Sequence, residues 1–163
     1  MVADTPERVK CTTFSILFAR FKGDLVELAR GAAAIDRLRP GDRILIAESC
    51  SHHAVEDDIG RVKIPRWFRQ YVGGDLVVDH CAGRDYPANL KDYKLVVHCG
   101  SCMLTRGEML FRLHQAKEKG VAITNYGLGI AFTQGVLRRV LEPFPAALDA
   151  FEKEISKNGS LKF

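Results

Sequence analysis

The chain has 163 residues, 24 basic against 20 acidic side chains, a net charge of +4 and 47% hydrophobic residues. That length and apolar content suit one soluble globular domain with a single core, and no apolar run reaches the ~18–20 residues that cross a bilayer. The first residues lack the apolar segment of an export signal, and a surplus of +4 spread along the chain is too small to mark a nucleic-acid-binding protein; a cytoplasmic protein is expected.

Residues 12–21 fit two patterns: Phe14, Ile16 and Phe18 alternate as in a strand, while Phe14, Leu17, Phe18 and Phe21 follow a helical period. Gly23 to Leu38 reads as an amphipathic helix carrying Leu25, Leu28, Ala32, Ile35 and Leu38 on one face, closed by Pro40-Gly41-Asp42. Arg43 to Glu48 is a nearly unbroken apolar run, as in a strand buried on both faces, and the type recurs at Leu76–Asp79, Leu95–His98 and Val121–Thr124. Ile64–Val72 and Thr105–Lys119 between these runs are helical in pattern, and Asp85–Tyr93 predicts a shorter helical turn. Ile130–Leu141 predicts a further helix, and Pro145 opens a last one with Leu148, Phe151 and Ile155 on one face. This alternation predicts an α/β fold: a single domain with a parallel four-stranded sheet, five-stranded if residues 12–21 join it, and helices on both faces. Residues 1–22 read as a lead segment and residues 23–163 as the functional domain.

Without an export signal, the five cysteines (Cys11, Cys50, Cys81, Cys99 and Cys102) point to metal ligands, redox groups or small core residues rather than disulfides. Open α/β sheets bind ligands at the carboxyl ends of their strands. There the first strand runs into Glu48-Ser49-Cys50-Ser51-His52-His53, and the third into His98-Cys99-Gly100-Ser101-Cys102. Neighbouring parallel strands would bring Cys50 to the Cys99/Cys102 pair. Thr105-Arg106-Gly107-Glu108 has the spacing of a capping box flanked by a Leu104/Met109 staple, so a helix starts three residues past Cys102 and its N-terminus favours thiolates.

Three chemistries fit these residues. Converging cysteines with flanking histidines form a soft-metal site. Cys99 and Cys102 alone would form a thiol redox pair, which leaves Cys50 and the His52-His53 tandem without a role. Cys50, Cys99, Cys102 and His52 would make a structural Cys3His zinc module, in a chain already large enough to fold without metal. Cys81 reads as a small core residue, His80 as structural and His114 as solvent-facing. The Arg61–Arg69 segment reads as a helix burying Ile64, Trp67, Phe68 and Tyr71 with solvated arginines, or alternatively as a positive rim. Gly127-Leu128-Gly129 lacks the third glycine and the acidic partner of a dinucleotide loop and reads as a tight strand–helix turn. With no nucleotide loop, metalloprotease or nucleophile-elbow motif in the chain, an enzyme is not expected.

Cys50-Ser51-His52 followed by His98-Cys99-Gly100-Ser101-Cys102 resembles the C-x-H…H-C-x-x-C signature of the HydF family, the scaffold GTPases of FeFe-hydrogenase maturation. Thr13–Arg20, Asp57–Trp67 and Thr124–Gly127 look like that family too, over roughly residues 12–145. The resemblance implies a 4Fe-4S cluster on Cys50, Cys99 and Cys102, with His52 and His98 at the motif's histidine positions; three thiolates leave one of four irons with a labile position, for which His52, His53, Glu56, Asp57 and His98 are candidates. It further implies a scaffold that carries a transient diiron precursor from radical-SAM maturases to apo FeFe-hydrogenase. The family's GTPase domain has no counterpart here, and residues 1–12 look like the tail of its dimerisation domain. GTP hydrolysis and the family's homodimer are therefore not carried over.

Overall fold

The computed structural model describes residues 4–6, 8–49 and 58–157. The four apolar runs form one parallel sheet: β1 (Arg43–Ala47), β2 (Val77–Cys81), β3 (Leu95–His98) and β4 (Ala122–Asn125), in spatial order β2-β1-β3-β4. The register aligns Cys81, Ala47, His98 and Asn125 in one row, so all four strands end level. β1 sends the chain outward to β2, whereas β3 sends it the other way to β4. The gap between β1 and β3 is therefore the topological switch point, where an open α/β sheet presents its ligand crevice.

Burial follows position in the sheet. All of β3 is buried, as is β1 from Ile44 onward. β2 departs from the expectation of a strand covered on both faces: it is an edge strand, with Val77 and His80 exposed and Asp79 half-buried. His80, expected to be structural, instead meets solvent.

The segment that fits both periods resolves as helix from Phe14 onward. Thr13 caps α1 (Phe14–Lys22) by accepting from the Ile16 amide, and the helix buries Ile16 and Ala19 in the common core. The sheet therefore has four strands among the described residues, and residues 14–22 belong to the same core as the sheet and its helices. Asp24 caps α2 (Leu25–Ala32), which tightens into a 3-10 turn over Ala33–Arg37, so the expected helix to Leu38 is α-helical over only part of its length. The Asp85–Tyr93 segment contributes one 3-10 turn at Leu90–Asp92.

A π-turn over Ile59–Lys63 leads into α3 (Ile64–Val72), which ends at Gly73 with φ 77°. α3 buries Ile64 and Phe68 and half-buries Trp67 and Tyr71. α4 (Arg106–Glu118) carries the expected capping box, with Thr105 and Glu108 exchanging hydrogen bonds. The segment expected as one helix from Ile130 to Leu141 begins earlier, directly out of β4, as α5 (Tyr126–Thr133) capped by Asn125. It stops where Gly135 turns left-handed at φ 70°, and resumes as α6 (Leu137–Leu141). Pro145 opens α7 (Pro145–Ser156), which buries Ala147, Ala150, Phe151 and Ile155. Gly127 packs so tightly on Ser15 of α1 that a Cβ would overlap that side chain. The Gly-x-Gly pair therefore serves helix packing at a strand–helix junction.

Helices cover both faces. Val97 of β3 points towards Gly129 of α5 and Phe68 of α3, while the next residue, His98, points the other way to Arg112 of α4. This is the two-residue alternation of a strand. α2 lies along the outer side of β4, where Thr124 Oγ1 donates to the Leu28 carbonyl at 3.0 Å and Gly31 meets the Ile123 backbone directly. One sheet edge is thus closed by a helix. No described helix is long and apolar enough to cross a membrane.

The Gly31 contact gives a sharp test, because two effects oppose each other there. In an exposed helix, Gly→Ala stabilises by about 1 kcal/mol. At Gly31 the new methyl would overlap the Ile123 carbonyl and push α2 off β4, at a cost of about 1–3 kcal/mol. Gly31→Ala should therefore lower the urea midpoint; an increase would mean that α2 does not seat directly on the β4 backbone.

Candidate metal centre

Cys99 follows β3 directly, and its amide donates to the Ala47 carbonyl of β1 at 2.8 Å. This bond fixes the cysteine at the β1/β3 switch point. Its Sγ accepts from the Ser49 amide at 3.1 Å and the Ser101 amide at 3.4 Å, and exchanges a hydrogen bond with the Ser49 hydroxyl at 2.8 Å. Donors converging on one sulfur are what a thiolate accepts, whether free or bound to metal. Ser101 supplies its amide by adopting a left-handed conformation, φ 60°, which is the only positive φ outside glycine among the described residues. A non-glycine residue holds that conformation only where its surroundings enforce it.

The enforcing contacts lie below the loop. Ser101 is buried, with its hydroxyl 3.1 Å from His98 Nδ1 and 3.1 Å from Met109 Sδ. Arg112 Nη1 lies 2.8 Å from His98 Nε2. Because guanidinium can only donate, Nε2 is the acceptor and the proton is on Nδ1, which donates to the Cys99 carbonyl at 3.0 Å. Burial holds the imidazole down to about 4, outweighing the Cys99 hydrogen bond and assisted by the Arg112 charge, so the ring is neutral at pH 7. Arg112, itself buried, also donates through Nη2 to the Gly83 carbonyl at 2.6 Å and stacks 4.6 Å from the centre of the Tyr86 ring. Both nitrogens of His98 are thus engaged by protein, and its place is underneath the loop as a support.

Cys102 is exposed at the loop's outer end, three residues before the Thr105 cap of α4. Beside it opens a cleft of ≈ 800 Å³ whose walls include Ser49, Gly83, Arg84, Met103, Phe111 and Arg112. On the β1 side, Glu48 is buried and accepts from Tyr126 Oη and from Arg61 Nη2, each at 3.3 Å. Burial and the Glu48 carboxylate push the Tyr126 hydroxyl well above its usual range. Arg61 is therefore not a free rim charge, and neither is Arg69, which is paired with Asp75 at 2.5 Å. Arg66 is exposed. Cys81 is half-buried rather than fully in the core, and its thiol is pushed up to about 11, mainly by burial. His114 is exposed, as expected, and pairs with Glu118.

Of the residues predicted to form the centre, the structure therefore places Cys99 and Cys102 on one loop with His98 beneath it. Cys50, His52, His53, Glu56 and Asp57 lie outside the described residues; Ser49, the last described residue before Cys50, is the one touching Cys99 Sγ. Among the described residues no group of three or more His, Cys, Asp or Glu is placed to hold a metal ion. Sequence reading gave no role to Ser49, Ser101, Glu48, Tyr126 or Arg112. Ser49 and Ser101 do flank the cysteines in sequence, which is a usable signal. Arg112 comes from a separate helix and carries none.

Residues 26–143 match the family described as Hydrogen maturase F tetramerization domain. No curated protein matches the chain.

The Arg112 bridge should be structural in its own right. Arg112→Met keeps most of the packing volume but leaves His98 Nε2 and the Gly83 carbonyl without their donor. Each buried group left unpaired costs about 1–3 kcal/mol. Urea unfolding of the metal-free protein should show a loss of that order, whereas Arg66→Met on the exposed side of α3 should change little.

Proposed function

Since the chain belongs to the hydrogen maturase F tetramerization domain family, we propose that it is a self-assembling scaffold of hydrogenase maturation that holds a 4Fe-4S cluster on Cys50, Cys99 and Cys102. The observation that carries this reading is the cradle of two amides and one hydroxyl around Cys99 Sγ. Such hydrogen bonds to sulfur tune iron–sulfur centres and support a thiolate ligand. The exposed Cys102 provides a second sulfur from the same loop.

Three cysteines would leave one iron of a 4Fe-4S cluster to be held by another residue, and a bound cluster would then offer an exchangeable position there. His52, Glu56 and Asp57 are the candidates for it. His98 acts on the site as a positioning residue, through the loop it anchors, because both of its nitrogens are committed. A diiron precursor is the proposed cargo, received from radical-SAM maturases and passed to apo-hydrogenase. The chain's own part is to present the site at an open edge of the fold and to hold Cys99 in place while cargo enters and leaves. It performs no bond-making chemistry of its own on this reading.

Anaerobic reconstitution followed by iron, sulfide and zinc analysis tests this. Wild type should bind about four irons with equal sulfide; Cys50→Ala, Cys99→Ala and Cys102→Ala should each lose most of the iron, and Cys81→Ala should retain it. Stoichiometric zinc would indicate the structural module, and a metal-free dithiol the redox pair.

The cradle yields a second expectation. Ser49→Ala removes the hydroxyl in contact with Cys99 Sγ while leaving the cysteines intact. Loss of an outer hydrogen bond typically weakens a metal site about 10–100-fold. Iron release to a chelator from the reconstituted variant should therefore be at least about tenfold faster than from wild type, with little change in thermal stability of the metal-free form.

A further inference from the structure

We infer that the outward face of α1 is a two-fold contact between copies of this chain. This rests on the self-assembly proposed above and assigns it a surface. Phe14, Leu17, Phe18 and Phe21 recur at the i, i+3, i+4, i+7 spacing of one helix face. Their rings form a continuous row, Phe14 to Phe18 at 5.7 Å and Phe18 to Phe21 at 6.3 Å. The opposite face is anchored by Ile16 and Ala19 in the core, so the exposure of the row is not that of a loose end. Phe14 is 78% exposed, Phe21 69% and Leu17 48%.

With about 150–250 Å² per aromatic side chain, these residues leave roughly 400 Å² of apolar surface in water. That matches the largest patch an ordinary monomer tolerates and is about half of the ~800 Å² each partner contributes to a stable interface. The other half has a natural source, because the row runs into the cysteine loop. Phe18 lies against Gly100, Lys22 Nζ donates to the Leu104 carbonyl at 2.7 Å, and the neighbouring Met103 is 71% exposed.

The proposed self-assembly makes the occupant a second copy, and the charge pattern sets its orientation. α1 has no acidic residue, and its basic residues, Arg20 and Lys22, are both in the last turn. A parallel pair of such helices would set like charges side by side. A two-fold axis through the middle of the row makes the pair antiparallel, with Phe14 against the second copy's Phe21 and the basic ends as far apart as the helix allows. The contact is isologous, as in most closed homo-oligomers, and Leu17 lies close to the axis, facing its own equivalent. The second copy then roofs the edge of the loop that carries Cys99 and Cys102, limiting access of water and oxidant to the sulfurs.

Leu17→Glu and Leu17→Lys, each examined by sedimentation equilibrium of the reduced 163-residue chain, test this together with their equimolar mixture. Each variant alone should weaken self-association at least tenfold with an unchanged circular dichroism spectrum. The mixture should restore it, because opposite charges then meet across the axis. Val77→Thr, on the exposed β2 edge, should associate like wild type. If wild type associates and neither Leu17 variant alters it, α1 is not the contact, while the self-assembly reading survives. If both variants dissociate but their mixture does not recover, the two-fold arrangement about Leu17 is wrong. A wild-type chain that remains monomeric throughout the concentration range would overturn both the self-assembly reading and this inference.

Discussion

The hydrogen bond from the Cys99 amide to the Ala47 carbonyl, 2.8 Å across the β1/β3 gap, is the constraint on which the rest of the site depends. It continues the sheet ladder one residue past the Ala47/His98 pair, so Cys99 is placed with the precision of a strand and not that of a loop. Sites built on rigid elements hold their geometry better than sites on loops. The same bond brings Ser49, two residues past Ala47, within reach of Cys99 Sγ. Sheet register thus becomes the coordinate system of the sulfur.

One residue further on, the chain has to leave the sheet, and it turns sharply. Ser101 takes a left-handed conformation that costs of order 1–3 kcal/mol. Three partners of its hydroxyl (His98, the Cys99 carbonyl and Met109) hold it there. Beneath them Arg112 fixes the tautomer of His98 and ties the loop to Gly83 after β2. A buried guanidinium is expensive in isolation. Here the Tyr86 face, a carbonyl and a neutral imidazole share the load. An acidic residue in place of His98 would pair with Arg112 but would put a negative charge under the loop that carries Cys99 and Cys102.

The parts of this arrangement legible in the sequence were those carried by local pattern. Strands were visible in the apolar runs, and the α4 capping box in Thr105 and Glu108, which exchange hydrogen bonds as their spacing requires. The loop cysteines were visible because they follow a strand and precede a helix. The edge character of β2 was not visible, since Leu76-Val77-Val78 is as apolar as a central strand and only the order β2-β1-β3-β4 exposes it. Residues 12–21 were ambiguous because their aromatics satisfy both periods; the Thr13 cap and the core contacts of Ile16 settle the helix. Arg112 was invisible because its partners, His98 and Gly83, are 14 and 29 residues away in the chain.

No described cysteine is fully buried in the core. Cys11, Cys81 and Cys99 are only partly buried and Cys102 is exposed, whereas Ile16, Ile44, Phe68, Val97 and Val140 are completely enclosed. In a small zinc module, metal binding and folding are one event, and the free energy of binding is absorbed in ordering the chain. A loop already held by Ser101, His98 and Arg112 has its conformation set by protein contacts, so on the proposed reading metal would enter and leave with the fold intact. That separation is what a carrier requires. A structural metal must never leave, while a scaffold must give up its cargo and remain the same shape to receive the next. On the proposed reading, a cysteine loop fixed by protein contacts would support holding and releasing on one surface, and the apolar row of α1 beside it would give that surface a means of being covered in between.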